Sequence, residues 1–117
     1  MVYCSEHVSL AALEILVHTQ SVTIRDKFRV FRVSWEGKMM ITINLKKLPR
    51  GWNAQPPSSI SKNVGDNWVR TGHSVVLAVP SVIVPAERTF LLNPNHLDFG
   101  KLKIKDTGSF YLDPRLR

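Results

Sequence analysis

The sequence predicts an α+β fold, a small mixed sheet with few helices. Three observations carry this expectation. An apolar pattern with helical period runs from about Glu6 to His18. Several short runs of β-branched and aromatic residues follow it, and one of them, Ser74 to Val79, is almost continuously apolar. Pro, Gly and Asn punctuate these runs, with no internal repeat, low-complexity segment or sign of a second domain, so one domain is expected over 1–117.

In the opening stretch, Met1-Val2-Tyr3 reads as the end of a strand, and sequence is expected ahead of Met1. Ser5 is the predicted N-cap of the helix, with Glu6 placed for the positive end of its dipole. At ~100° per residue, Leu10, Leu13 and Val17 share one face, and Val8, Ala12, Ile15 and Leu16 cover most of the rest. His7, Glu14 and His18 form a narrow polar line. A helix apolar nearly all round is expected to be buried. A carboxylate on its polar line would then be only partly solvated, and buried carboxylates need partners and concentrate at functional sites. On the helix alone, a satisfied structural residue, or one facing solvent through a gap in the cover, is the simpler reading of Glu14. A zinc site on Glu14 and His18 is disfavoured, because H-E-x-x-H is absent and the single Cys4 supplies no thiolate set.

Beyond a polar connector at Thr19–Thr23, Lys27 to Trp35 reads as a strand, with Phe28, Val30, Arg32 and Ser34 on one face and Arg29, Phe31, Val33 and Trp35 on the other. Glu36-Gly37-Lys38 is a turn into a second strand, Met39 to Leu45, and the two are expected to pair as a hairpin. Lys27, Arg29 and Arg32 would suit a basic nucleic-acid face, but sheet cores interleave aromatics in the same way, and solvated or structural arginines are the simpler reading. Pro56-Pro57 breaks regular structure. A short helix is predicted from Ser59 or Ser61 to about Arg70, with Ile60, Val64, Trp68 and Val69 on its apolar side and Gly72 near its end. The apolar run Ser74 to Val79 suits a strand buried on both faces. After Pro80-Ser81, Val82 to Val84 is expected to continue as strand, followed by Phe90 to Leu92, a helical turn or loop at Leu97 to Gly100, a strand at Lys101 to Lys105 with Leu102 and Ile104 inward, and a last apolar run at Phe110 to Leu112.

The net charge of +7 favours an anionic contact without choosing among nucleic acid, a dinucleotide and an acidic partner. One cysteine excludes an internal disulfide and fits a reducing compartment. No apolar run approaches a membrane span, and no signal peptide is evident, so a cytoplasmic location is expected and no membrane partner.

Several stretches, taken in order, resemble the RES domain, the toxin half of bacterial Xre–Res toxin–antitoxin pairs. They are Val2-Tyr3-Cys4-Ser5-Glu6 running into Ala11-Ala12-Leu13-Glu14; Leu48-Pro49-Arg50-Gly51-Trp52; Gly65-Asp66-Asn67-Trp68; Leu77-Ala78-Val79-Pro80-Ser81; Leu92-Asn93-Pro94-Asn95-His96; and Phe110-Tyr111-Leu112-Asp113-Pro114-Arg115-Leu116. The resemblance implies a fold like that of ADP-ribosyltransferase toxins, with NAD as substrate and no further cofactor. The nicotinamide–ribose bond would be cleaved by hydrolysis or phosphorolysis, and an Xre-type antitoxin would be the protein partner. It maps the family's glutamate onto Glu14, its serine onto Ser81 and the tyrosine ahead of the helix onto Tyr3. Glu14 would stabilise charge on the ribose and Ser81 would orient Glu14 or the substrate. Tyr3 would meet the nicotinamide. His18, on the same polar line of the helix, is a candidate to stand behind Glu14, although a plain structural histidine is the simpler reading. The family's arginines lie in a front segment with a Gly-Gly-Arg-Trp-like motif that has no counterpart here. The expectation is a RES domain without its opening strands, and an inactive fragment is one outcome. The other classes kept open are a non-enzymatic remnant or antitoxin-binding module, and a basic nucleic-acid-binding domain, although direct nucleic-acid contact is not expected.

Overall fold

Strand Val76–Pro80 (β4 below) lies at the centre of the molecule because its sequence offers no polar side chain to either face. The computed structural model describes residues 1–18, 27–43, 46, 50–53 and 59–116. In chain order the elements are β1 (Val2–Ser5), α1 (Val8–His18), β2 (Lys27–Ser34), β3 (Met40–Thr42), α2 (Ser59–Thr71), β4 (Val76–Pro80), β5 (Arg88–Leu92) and β6 (Lys103–Tyr111). Short 3-10 turns stand at Gly37–Met39, Phe99–Lys101 and Pro114–Leu116. The class is α+β, as expected.

The strands form two sheets. One is mixed, in the order β1-β5-β4-β3, with β3 parallel to β4 and the other pairs antiparallel. The second is an antiparallel ribbon of β2 and β6. The expected hairpin of β2 with the strand after it is therefore incorrect. That strand is short, Met40–Thr42, and joins β4 instead. Its Met40 packs into the core beside Val76, whereas β2 finds in β6 a partner long enough to pair every one of its residues. Leu45 and the connector at 19–23 lie outside the described residues.

Period-2 alternation divides the mixed sheet into two apolar faces. Val76, Ala78, Phe90 and Leu92 on one face join Val75 and Leu102, with Cys4, Val33, Trp35, Met39, Met40 and Phe99 packed around them. This is the side the ribbon covers, and Trp35 meets the Phe90 ring edge-on at 5.0 Å. Leu77 and Leu91 on the opposite face join Trp68 of α2, with Ile43, Val69 and Val79 alongside. Full burial of a side chain such as Leu77 contributes about 1.5–3 kcal/mol.

Helix α2 ends where the sequence places its stop. Gly72 takes φ +63° and donates its N–H to the Trp68 carbonyl at 3.1 Å, a left-handed cap that favours glycine. The Trp68 indole N–H donates to Ser74 Oγ at 2.9 Å, and that hydroxyl donates to the Val76 carbonyl at 2.8 Å, so the buried polar atoms at the entry to β4 are satisfied.

Three further expectations are corrected. Helix α1 starts at Val8, because β1 keeps Ser5 paired opposite Thr89 and Glu6 N–H donates to the Arg88 carbonyl; Ser5 is a strand residue and no cap. Residues Val82 to Val84 form a turn, because Ser81 draws the backbone back on itself. Ile104 is 59% exposed, since only the Leu102 end of its strand reaches the core. Helix α1 also departs from its pattern. Only Leu10 is buried, while Val8, Leu13 and Val17 remain 51%, 37% and 57% exposed. Apolar residues all round a helix do not bury it unless something packs on each side.

Candidate functional site

The C-terminal ends of β1 and β4 and the start of β5 meet at one end of the mixed sheet. There Arg88 donates its backbone N–H to Glu6 Oε1 at 2.9 Å, and its Nε and Nη2 to Oε2 at 3.1 and 2.9 Å. The guanidinium also lies 5.1 Å from the centre of the Phe90 ring. Burial pushes the Glu6 carboxyl upward, but the hydrogen bonds and charge of Arg88 outweigh it and hold the carboxyl below its ordinary range. This clamp fixes the β1–α1 corner from which the helix projects.

Ser81 is fully buried just beyond β4. Its N–H donates to the Glu87 carbonyl at 2.8 Å, and its Oγ accepts the N–H groups of Ile83 and Val84, each at 3.1 Å. A serine after a strand is well suited to this turn-closing role. The hydroxyl proton keeps its donor capacity, so Ser81 can still offer one hydrogen bond. Its side-chain hydrogen bonds lie within its own loop, and among the described residues none joins it to Glu14 or Tyr3. Beside it, Glu87 buries Oε1 without a hydrogen-bond donor among the described residues.

Glu14 lies on α1, with its side chain 27% exposed. His18, one turn on, places Nε2 2.9 Å from Glu14 Oε2. The expected neighbour is thus in contact with the carboxylate. Helical spacing of four residues brings the two side chains together. Tyr3 stands on edge strand β1 opposite Leu91, 69% exposed, and its hydroxyl holds no hydrogen bond among the described residues. Cys4 turns the other way into the core, and burial raises its thiol pKa, which disfavours the thiolate nucleophile.

The structure therefore joins Glu14 to His18 and seats Ser81 deep in a rigid turn. Tyr3 is left as an open ring on the same β1–α1 unit as Glu14. Sequence reasoning missed the Glu6–Arg88 clamp. No local signal could pair residues so far apart, although a carboxylate at a strand–helix corner was a candidate for some cation. It also missed the orphaned oxygen of Glu87.

The RES domain family model matches residues 1–113. The chain belongs to the RES family. Among its RES relatives is "Toxin Res" of Yersinia enterocolitica, 34% identical over 117 residues, which cover 99% of this chain and 77% of that protein. "Toxin Res" of Photorhabdus laumondii is 37% identical over 100 residues, covering 86% of this chain and 64% of that protein. The "Prs ADP-ribosylating toxin" of a Sphingobium strain is 30% identical over 119 residues, covering 99% and 74%. Among the described residues no helix is long and apolar enough to cross a membrane.

Proposed function

We propose that this RES domain serves as a toxin that consumes NAD by breaking its nicotinamide–ribose bond. The observation that carries this reading is Glu14, a half-buried carboxylate held by His18, onto which the family resemblance maps the RES glutamate. The C–N bond breaks with its electron pair moving to the ring nitrogen, so nicotinamide leaves neutral and positive charge develops on the ribose. A fixed carboxylate beside that charge stabilises it electrostatically. The donor proton of His18 holds Glu14 in place. Tyr3 offers a ring face to nicotinamide, and the fully buried Ser81 serves by holding the 81–84 turn behind the site.

The acceptor then decides the product. Water adds and loses a proton in hydrolysis, and phosphate adds in phosphorolysis. The Sphingobium relative, named an ADP-ribosylating toxin, favours a further acceptor, a side chain of another macromolecule, reached through the same first step. A toxin of this kind calls for a protein antitoxin that blocks the site, of the Xre type by resemblance, and would act in the cytoplasm, where NAD is available.

The test is NAD loss over time, with and without phosphate, for this chain and its Glu14→Gln variant. The expected loss of rate in the variant is at least about 10²-fold. Equal rates in both proteins remove Glu14 from the chemistry. A folded chain that consumes no NAD under either condition leaves the non-enzymatic, antitoxin-binding reading.

A further inference from the structure

The β2–β6 ribbon carries a face that the proposed NAD site does not use. Its register sets Arg32 opposite Lys105 and Ser34 opposite Lys103. Partners directly opposite in an antiparallel ladder share a face, so these four side chains stand together, and all four residues are exposed. Like charges placed opposite each other destabilise a sheet. Here the arrangement is held without relief. Arg32, Lys103 and Lys105 have no carboxylate within ion-pair distance among the described residues, whereas Arg29, Lys38, Arg88, Lys101 and Arg115 each have one.

The acids around this face are already taken. Asp106 is bound by Arg29 at 2.7 Å, Glu36 by Lys38 at 3.3 Å and Asp98 by Lys101 at 3.1 Å. The exposed apolar residues of the ribbon, Phe31 and Ile104, alternate onto the opposite face. The half-buried Phe28, Val30 and Phe110 share this face further along the ribbon, so the choice of partner rests on the three unpaired cations at its other end. We infer that the Arg32–Lys103–Lys105 face of the ribbon binds the phosphate backbone of a nucleic-acid duplex, independently of the NAD reading.

The geometry fits that partner. Lys103 and Lys105, two apart on β6, stand about 6.7 Å apart along the strand, with Arg32 across from Lys105, so the three cations can reach separate phosphates of one backbone. A two-stranded ribbon is also narrow enough for the major groove. All three contacts are to phosphate, so the binding is sequence-independent.

The test is fluorescence anisotropy of a labelled 20-base-pair duplex of mixed sequence, titrated with the full chain from 50 to 200 mM salt. Three phosphate contacts predict a log–log salt slope of about −2.7. The triple variant R32Q/K103Q/K105Q is expected to lose at least tenfold in affinity at 50 mM salt and most of the slope. The control triple K38Q/K46Q/R115Q removes the same charge elsewhere and is expected to stay within twofold of the parent. The charge-keeping triple R32K/K103R/K105R is expected to bind like the parent, which separates lost charge from lost fold. Equal losses in the first two triples overturn the assignment, because net charge would then suffice. No binding at 50 mM salt overturns it, as does equal displacement by a polyglutamate of matched charge, which would mark a surface for acidic protein.

Discussion

Strand β4 and helix α1 are both dominated by apolar residues, yet they end in opposite environments. Val76, Leu77 and Ala78 are at most 1% exposed, while along α1 only Leu10 reaches that level. The strand has β3 and β5 on its edges, α2 on one face and the ribbon on the other. The helix follows directly from edge strand β1 and keeps Val8, Leu13 and Val17 outward. Apolar composition shows how much a segment gains if covered; the neighbours determine whether it is covered.

Truncating Leu77 to Ala probes the covered side. It removes a fully buried side chain from the Trp68–Leu91 cluster, and a loss of about 2–5 kcal/mol is expected in denaturant unfolding. Ser81→Ala follows. It strips the acceptor from the N–H groups of Ile83 and Val84, and about 1–3 kcal/mol is expected by the same measurement. A value near zero would mean that the 81–87 turn holds without its serine.

The Glu6–Arg88 clamp stands between the two extremes. Its carboxyl is held below the ordinary value of 4.5, so its contribution is present above that pH and disappears as pH falls through the lower, folded value. The expected result is a fall in thermal midpoint below about pH 4.5 that is shallower in Glu6→Gln. Identical acid limbs in the two proteins would show that the clamp adds no stability. At neutral pH the variant is expected to lose under about 1 kcal/mol, since the arginine is partly exposed. Val17→Ala comes last. An exposed site with improved helix propensity predicts a change within about 0.5 kcal/mol. A cost near that of Leu77→Ala would mean that the outer side of α1 is packed after all.

The same contrast explains what could be read from sequence. The strand at β4, the helix α2 and its Gly72 stop were legible because their signals are local: an apolar run, a periodic face and a glycine at the left-handed position. The two faces of β2 were legible too. Its partner was not, because Lys27 and Tyr111 announce nothing to one another along the chain. The exposure of α1 failed for the reason already given. Of the candidate site, Glu14 and His18 were brought together by spacing alone, while the assignment of Ser81 and Tyr3 rested on family resemblance. The commitment of the Ser81 hydroxyl to two backbone N–H groups required coordinates.

The ribbon also imposes an order on the birth of the protein. β6 is synthesised after every other strand, and β2 has no alternative partner in either sheet. At synthesis rates of about 5–20 residues per second, β2 waits several seconds on the ribosome before its mate emerges. Once β5 has been made, and until β6 follows it, Trp35 and Val33 have no ribbon to hold them over the Phe90 side of the core. Closing so long a loop is expected to make ribbon pairing a late step of folding, after the mixed sheet has its strands.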